Sequence, residues 1–176
     1  MILPMAAPTD PKRPATPDEF KAMAHPLRLR ILRLCLHDSM TNKELADRLD
    51  QDPATVLHHV RLLVRTGFLV ADDVRTGARG ALEKPYRATG KSWVLSAATP
   101  EQGKVEQAAV LDALKAELLE VPPDDVMADA RLGVQLSAAK AKRYQARIEK
   151  LVHDLAAEPD EPNGERYGFY VAWHRR

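Results

Sequence analysis

The stretch PATVLHHVRLLVRTGFLV, residues 53–70, decides the fold. At 3.6 residues per turn, Val56, Val60 and Leu63 fall on one face and Thr55, His58, Arg61 and Arg65 lie largely on another. A helix that is apolar inside and short, polar and cationic outside has the properties of a major-groove reader. Gly67 supplies a left-handed C-cap, which ends the helix near Thr66. His58 and His59 are about 100° apart around the axis, so they cannot share one role. His58 points to the reading face, where an imidazole contacts a base edge or phosphate or is simply solvated. His59 sits at the margin of the core and reads as a structural, hydrogen-bonded side chain.

Working upstream, Thr41-Asn42-Lys43-Glu44 is a capping box opening a short helix that buries Leu45, Ala46 and Leu49. Asp50 and Gln51 make a tight connection, Asp52 is an N-cap and Pro53 takes the first helical position. Two short helices joined this way outline a helix-turn-helix. A preceding helix after His25-Pro26 places Leu27, Ile31, Leu34 and Cys35 on one face and Arg28, Arg30 and Arg33 elsewhere. Cys35 reads as a small core residue rather than a reactive thiol. Thr16-Pro17-Asp18-Glu19 is a further capping box, and the proline-rich residues before it read as a flexible arm. Downstream, Phe68–Val74 and Leu82–Ala88 read as two strands around the glycine-containing turn RTGARGA, residues 75–81. Pro85 argues for an edge position. The product is a basic hairpin, or wing, whose turn is flanked by Arg75 and Arg79.

Composition bounds the function. The chain has 176 residues, 45% of them hydrophobic, which suits a globular protein. One cysteine excludes a disulfide framework and any CxxC site. No signal-peptide pattern and no apolar run near the roughly 20 residues needed to span a bilayer are present, so the reading is a soluble, cytoplasmic protein without membrane contact. The net charge of +1 conceals an asymmetry: residues 20–91 carry 13 Lys/Arg against 8 Asp/Glu, whereas residues 100–176 carry 11 against 14. The nucleic-acid surface is therefore sought in the first part. No GxGxxG, P-loop or nucleophile–base constellation occurs, so neither enzyme activity nor a cofactor is expected.

In the second half a helix runs from Thr99-Pro100-Glu101-Gln102 to about Leu119, and Pro122-Pro123 breaks it. A long helix then carries Met127, Ala130, Val134, Ser137, Ala141, Tyr144, Ile148, Leu151 and Leu155 at alternating spacings of three and four. That is a heptad seam suited to packing against another helix. Leu111, Leu114, Leu118, Val134, Tyr144, Ile148, Leu151 and Leu155 are the dimerisation candidates. Arg166–Trp173 reads as a closing strand. Trp93, Tyr144, Phe169, Tyr170 and Trp173 read as core-filling aromatics, with the lining of an apolar effector pocket as the alternative.

The order AMAHPLRLRILRL (22–34), TNKELADRL (41–49), PATVLHHVRLLVRTGFLV and KPYRATG (84–90) resembles the winged-helix DNA-binding domain of the ArsR (arsenic-repressor) family of bacterial transcription regulators. The resemblance covers about residues 20–91. It implies a mainly α fold with a small β-hairpin wing, that is, a winged helix-turn-helix domain followed by a helical dimerisation region. The corresponding division is an arm over 1–15, the DNA-binding domain over 16–98 and a dimerisation or effector region over 99–176. The implied function is a homodimeric regulator, more often a repressor, on an inverted-repeat operator in double-stranded DNA. Arg61 is the base-reading candidate because a guanidinium bonds guanine O6 and N7 together. Arg65, Thr41, Asn42 and Lys43 are phosphate candidates, and Arg75 and Arg79 reach for backbone or minor groove. Leu57 departs from the family, which usually has a small polar residue there. It either meets a thymine methyl group or alters recognition. Metal sensing does not carry over: ELADRLDQ (44–51) has no cysteine pair, and His153-Asp154 lacks a second histidine at ligand spacing. The competing reading is a winged helix that contacts proteins rather than DNA.

Overall fold

Prolines and short polar caps set the helix boundaries. The computed structural model describes residues 12–77, 80–159, 161 and 163–175. The described residues form two units, one ending at Met127 and the other beginning at Ala128.

The first unit opens with β1 (Arg13–Pro14), which pairs in parallel with a late strand, so residues read as the end of a flexible arm are structured here. A strand hydrogen-bonded on one side only tolerates Pro14, which has no N–H to leave unpaired. In α1 (Pro17–Met23) the Thr16 hydroxyl accepts the Glu19 N–H, and the Glu19 carboxylate accepts the Thr16 N–H at 2.9 Å. The next helix, α2 (Pro26–Leu34), is capped by His25, whose Nδ1 accepts the Leu27 N–H at 3.2 Å. After β2 (Met40–Thr41) comes α3 (Asn42–Leu49) with the expected Thr41/Glu44 capping box. Asp50 then adopts the left-handed region at φ +50°, and the Gln51 N–H donates to the Ala46 carbonyl, closing the helix. The Asp52 carboxylate accepts from the Ala54 and Thr55 N–H groups at 2.9 and 3.0 Å and starts α4 (Pro53–Arg65).

The end of α4 follows its sequence. Gly67 takes φ +76° and donates to the Val64 carbonyl, while Phe68 donates back to Leu63. This 5→2 and 6→1 pair satisfies two orphan carbonyls, and only glycine enters the left-handed region without a Cβ penalty. Around it Ile31, Cys35, Leu45, Val56, Val60, Leu63, Phe68 and Leu69 are buried together. Burial pushes the Cys35 thiol up to about 12, as fits a core residue.

The wing is built from β3 (Leu69–Ala71), β4 (Arg75–Thr76), β5 (Leu82–Glu83) and β6 (Pro85–Ala88). Strands β4 and β5 pair antiparallel, and the larger sheet has the order β2-β6-β3. Strand β6 is therefore central, not the edge that Pro85 suggested. Pro85 is tolerated because it is the first residue of the strand, and its carbonyl accepts the Asp72 N–H at 3.0 Å. A short 3₁₀ turn over Lys91–Val94 leads to β7 (Leu95–Ser96), the partner of β1. The last helix of this unit, α5 (Pro100–Leu118), packs on α1 and α2 and buries Ala109 and Ala113. Arg30 pairs with Glu120 and Arg33 with Glu117, fastening its far end. The compact unit thus continues through residue 127, beyond the division near residue 98 expected from sequence.

In the second unit the expected long helix is shortened to α6 (Ala138–Ala157). Met127, Ala130 and Val134 precede it in non-helical backbone. The Ser137 hydroxyl accepts the Lys140 N–H and so acts as an N-cap rather than an interior residue, and Gly133 is a poor helix former just before it. The strand expected over Arg166–Trp173 is not formed. A strand needs a partner for its ladder, and the described residues supply none. Phe169, Tyr170 and Trp173 are consequently exposed, and Tyr144 is also exposed, where core filling was expected; Trp93, in the first unit, is half-buried.

Candidate nucleic-acid interface

Helix α4 has two chemically distinct faces. Val56, His59, Val60, Leu62 and Leu63 are buried, whereas Thr55, His58, Arg61 and Arg65 are exposed and Leu57 is half-buried. Among the described residues the side chains of Thr55, Arg61 and Arg65 make no hydrogen bond or ion pair, so their donors are available to a ligand. His58 meets the His59 ring in a T-shaped arrangement, at 5.6 Å between centroids.

The inner face is held by a polar cluster that sequence periodicity does not reveal. Arg28, assigned away from the core by its charge, is 7% exposed. Its Nε donates to the Ala22 carbonyl at 2.6 Å and its Nη2 to the Lys21 carbonyl, covering the C-terminal carbonyls of α1. Its Nη1 lies 3.2 Å from His59 Nδ1. A guanidinium only donates, so His59 Nδ1 is the acceptor and the imidazole is the neutral Nε2–H tautomer. Burial first, then the positive neighbours His25, Arg28 and His58, push His59 down to about 4. His25 is also lowered, by burial and by Arg28, and its ring lies 4.6 Å from that of His59. One arginine thereby joins α1, α2 and the candidate reading helix. His59 is buried and hydrogen-bonded, as its place in the sequence suggested.

A second cluster fixes the other end of α4. Glu19, 6% exposed, accepts two bonds from Arg13 at 2.7 and 2.8 Å and one from Lys91 Nζ at 2.7 Å. Arg13 above all, and Lys91 after it, hold this carboxyl far below the usual carboxylate range against the opposing effect of burial. Lys91 Nζ also donates to the Thr66 carbonyl at 2.6 Å and sits 5.3 Å from the Phe68 ring centroid. The C-cap of α4 is thus tied through Lys91 to α1. Glu19 is legible in sequence as a capping-box residue, but nothing in the sequence pairs it with a lysine 72 positions away.

The remaining sequence candidates are distributed unevenly. Thr41 is buried and its hydroxyl is engaged by the Glu44 N–H at 3.2 Å. Asn42 donates to the Pro53 carbonyl at 2.9 Å, holding the starts of α3 and α4 together. Lys43 is exposed at the α3 N-terminus and pairs with Asp47 at 2.6 Å, a solvated contact that competes weakly with a phosphate. Arg75 bridges Glu44 of α3 and Glu83 of β5, so in this conformation it braces the wing. Arg79 lies outside the described residues. Of the dimerisation candidates, Leu111, Leu118, Val134, Tyr144, Leu151 and Leu155 are exposed, and Leu114 and Ile148 are half-buried. No residue of α6 is buried, leaving its apolar seam uncovered within its own unit. Among the described residues no group of three His, Cys, Asp or Glu side chains is arranged to hold a metal, and no helix is long and apolar enough to cross a membrane.

Two helices at a tight turn, a three-stranded sheet and a hairpin beyond α4 define the architecture, and residues 23–70 match the family described as a helix-turn-helix domain. Residues 26–88 have a winged helix-turn-helix fold. Among solved structures, the chain is similar to HlyU from Vibrio cholerae at 23% identity, over 52% of this chain and 83% of that one, with a TM-score of 0.33. It is also similar to a mutant of Staphylococcus aureus MepR bound to an oligodeoxyribonucleotide, at 16% identity over 76% and 78% of the two chains, with a TM-score of 0.31. A Staphylococcus aureus MepR–DNA complex gives 16% identity over 78% and 84%, with a TM-score of 0.30. No curated protein matches. Within the winged helix, α3 is the supporting helix, α4 the exposed second helix and β3–β6 the wing.

Proposed function

We propose that this protein is a homodimeric, sequence-specific DNA-binding transcription regulator, acting as a repressor, with α4 in the major groove and the wing on the backbone or minor groove. The observation that carries the reading is the outer face of α4. Arg61 and Arg65 project from a helix whose opposite face is anchored in the core by Val56, His59, Val60 and Leu63. Arg61, on the central turn, reads a guanine, while Thr55 and His58 contact neighbouring base edges or phosphates. Arg65, one turn on, and Lys43 contact phosphate. Asn42 and the buried Thr41 cap act by positioning the α3 N-terminus.

A single helix-turn-helix makes few contacts, and two copies on a palindrome double them at a half-site spacing of about 34–36 Å. The exposed apolar residues of α5 and α6, including Leu111, Leu118, Leu151 and Leu155, support the dimer. A ligand that rotates the two copies would misalign both reading helices, which is how a small-molecule effector would act.

The test is selection of bound duplexes from a randomised pool by the purified protein at two salt concentrations, with competitor DNA present. An inverted repeat whose affinity falls steeply with salt is expected, because neutralised phosphates release counterions. Failure to enrich any sequence would refute the reading. The half-buried Leu57 and the exposed Val64 on α4 favour one rival, a winged helix that binds a protein. That rival predicts binding with a shallow salt slope and no enriched DNA. Sedimentation of the full chain carrying Ile148→Glu tests the dimer, with a shift to monomer expected and an unchanged dimer placing the contact elsewhere.

A further inference from the structure

The apolar face of helix α4 continues past the core to a margin beside its cationic face. Leu57 and Val64 lie within about 60° of Val60 on one side and of Arg61 on the other, where the buried face meets the cationic one, and Ala54 lies just beyond Arg61. Ala54 and Val64 are exposed and Leu57 is half-buried, so the leucine's free part adjoins the exposed Arg61, four residues on. Residues at this spacing are helix-surface neighbours, about 40° apart around the axis and about 6 Å apart along it. On its outer side this margin meets Arg61, with Arg65 and His58 beyond, and α4 carries no acidic residue. A polyanion is therefore the complementary occupant.

Resting on the reading of α4 as a major-groove helix, we propose that Leu57 reads the C5-methyl group of a thymine within two base pairs of the base contacted by Arg61. Leucine has neither donor nor acceptor, so it contributes nothing to hydrogen-bond readout. The thymine methyl is the apolar group that the major-groove floor displays, and contact with it removes apolar area from water on both sides. At the same position a cytosine presents its N4 amine, which the leucine would desolvate without a replacement partner. Base pairs are spaced about 3.4 Å along the duplex, so 6 Å along the helix corresponds to one or two steps. Arg61 and Leu57 thus form a composite reader for a guanine and a nearby thymine.

The experiment uses the full-length protein and the operator recovered by selection, with each thymine replaced in turn by deoxyuridine, which differs only in lacking the methyl group. The wild type is expected to bind one substituted duplex about three- to tenfold more weakly, the size of one buried methyl contact. That position lies within two base pairs of the one at which Arg61→Ala loses selectivity. Leu57→Ala is expected to bind the thymine operator weaker by the same factor and to be indifferent to deoxyuridine there. Because the thymine-to-deoxyuridine series is run on the wild type, loss of folding in Leu57→Ala does not affect it. If an operator is recovered and deoxyuridine changes wild-type binding nowhere, or changes Leu57→Ala equally, the thymine assignment is overturned while DNA recognition stands. If selection recovers no sequence, the groove reading falls and the assignment falls with it.

Discussion

Lowering the pH from 7 to 5 should destabilise the winged helix through one side chain, His59. Its pKa falls from an ordinary value of 6.5 to about 4 in the folded protein, chiefly by burial. The folded state therefore excludes a proton that the unfolded chain accepts. The stabilisation is fully present above about 6.5 and is lost as the pH falls from there toward 4, since the unfolded state binds more protons throughout that window. Linkage over these values bounds the loss between pH 7 and 5 at about 2 kcal/mol. Local relaxation around the new charge reduces this, so about 1–2 kcal/mol is expected, or roughly 5–10 °C in Tm. Protonation also removes the acceptor that Nδ1 offers to Arg28, leaving two cations 3.2 Å apart. The assay is urea unfolding at pH 7, 6 and 5 for the wild type and for His59→Gln, whose side-chain carbonyl still accepts from Arg28 but does not titrate. The variant should lose less stability on acidification than the wild type, the residue of the slope coming from His25. Equal losses in the two proteins, or a wild type that gains stability at pH 5, would refute the assignment.

Glu19→Gln should cost roughly 1–3 kcal/mol, because the charge-assisted bonds that the buried carboxylate accepts from Lys91 and Arg13 are weakened to bonds with a neutral amide. In the wild type the Glu19 contribution is present above the ordinary carboxylate value of 4.5 and is lost as the pH falls below it, so the variant should have a flatter acid limb in thermal melts. Gly67→Ala forces a Cβ into φ +76°, with Lys91 Nζ only 3.4 Å away, and should lower stability by about 1–2 kcal/mol in the same melts. On the selected operator, Arg61→Ala should cost about 1–3 kcal/mol and relax selectivity at one base. Arg65→Ala should instead weaken all duplexes evenly and reduce the salt slope by about one, and gel-shift titrations that find identical losses on every sequence for both would remove the assigned division of roles.

Much of the winged helix is readable from local chemistry. Thr16, Thr41, Asp52 and Gly67 act at helix ends as their residue types and positions indicate, because capping involves atoms within a few residues of one another. The outer face of α4 is legible for the same reason: helical periodicity separates Arg61 and His58 from Val56 and Val60 without knowledge of the rest of the chain. The β2-β6-β3 order was not legible, since Pro85 marks a position lacking a donor but not which strands flank it. The seam before Ser137 misled for a related reason, its spacing being helical while Ser137 caps instead.

By itself, then, the sequence determined which segments of the winged helix are helical, where they stop, and that a cationic face lies on the helix from Pro53, all consequences of short-range backbone and side-chain preferences. Tertiary structure alone decided that Arg28 is buried against His59 and the end of α1, and that Lys91 links Glu19 to the Thr66 carbonyl. A charged side chain is assigned to solvent by any periodicity argument. Only when distant carbonyls, an imidazole or a carboxylate converge on it does burial cease to be prohibitive, and that convergence exists only in the folded chain.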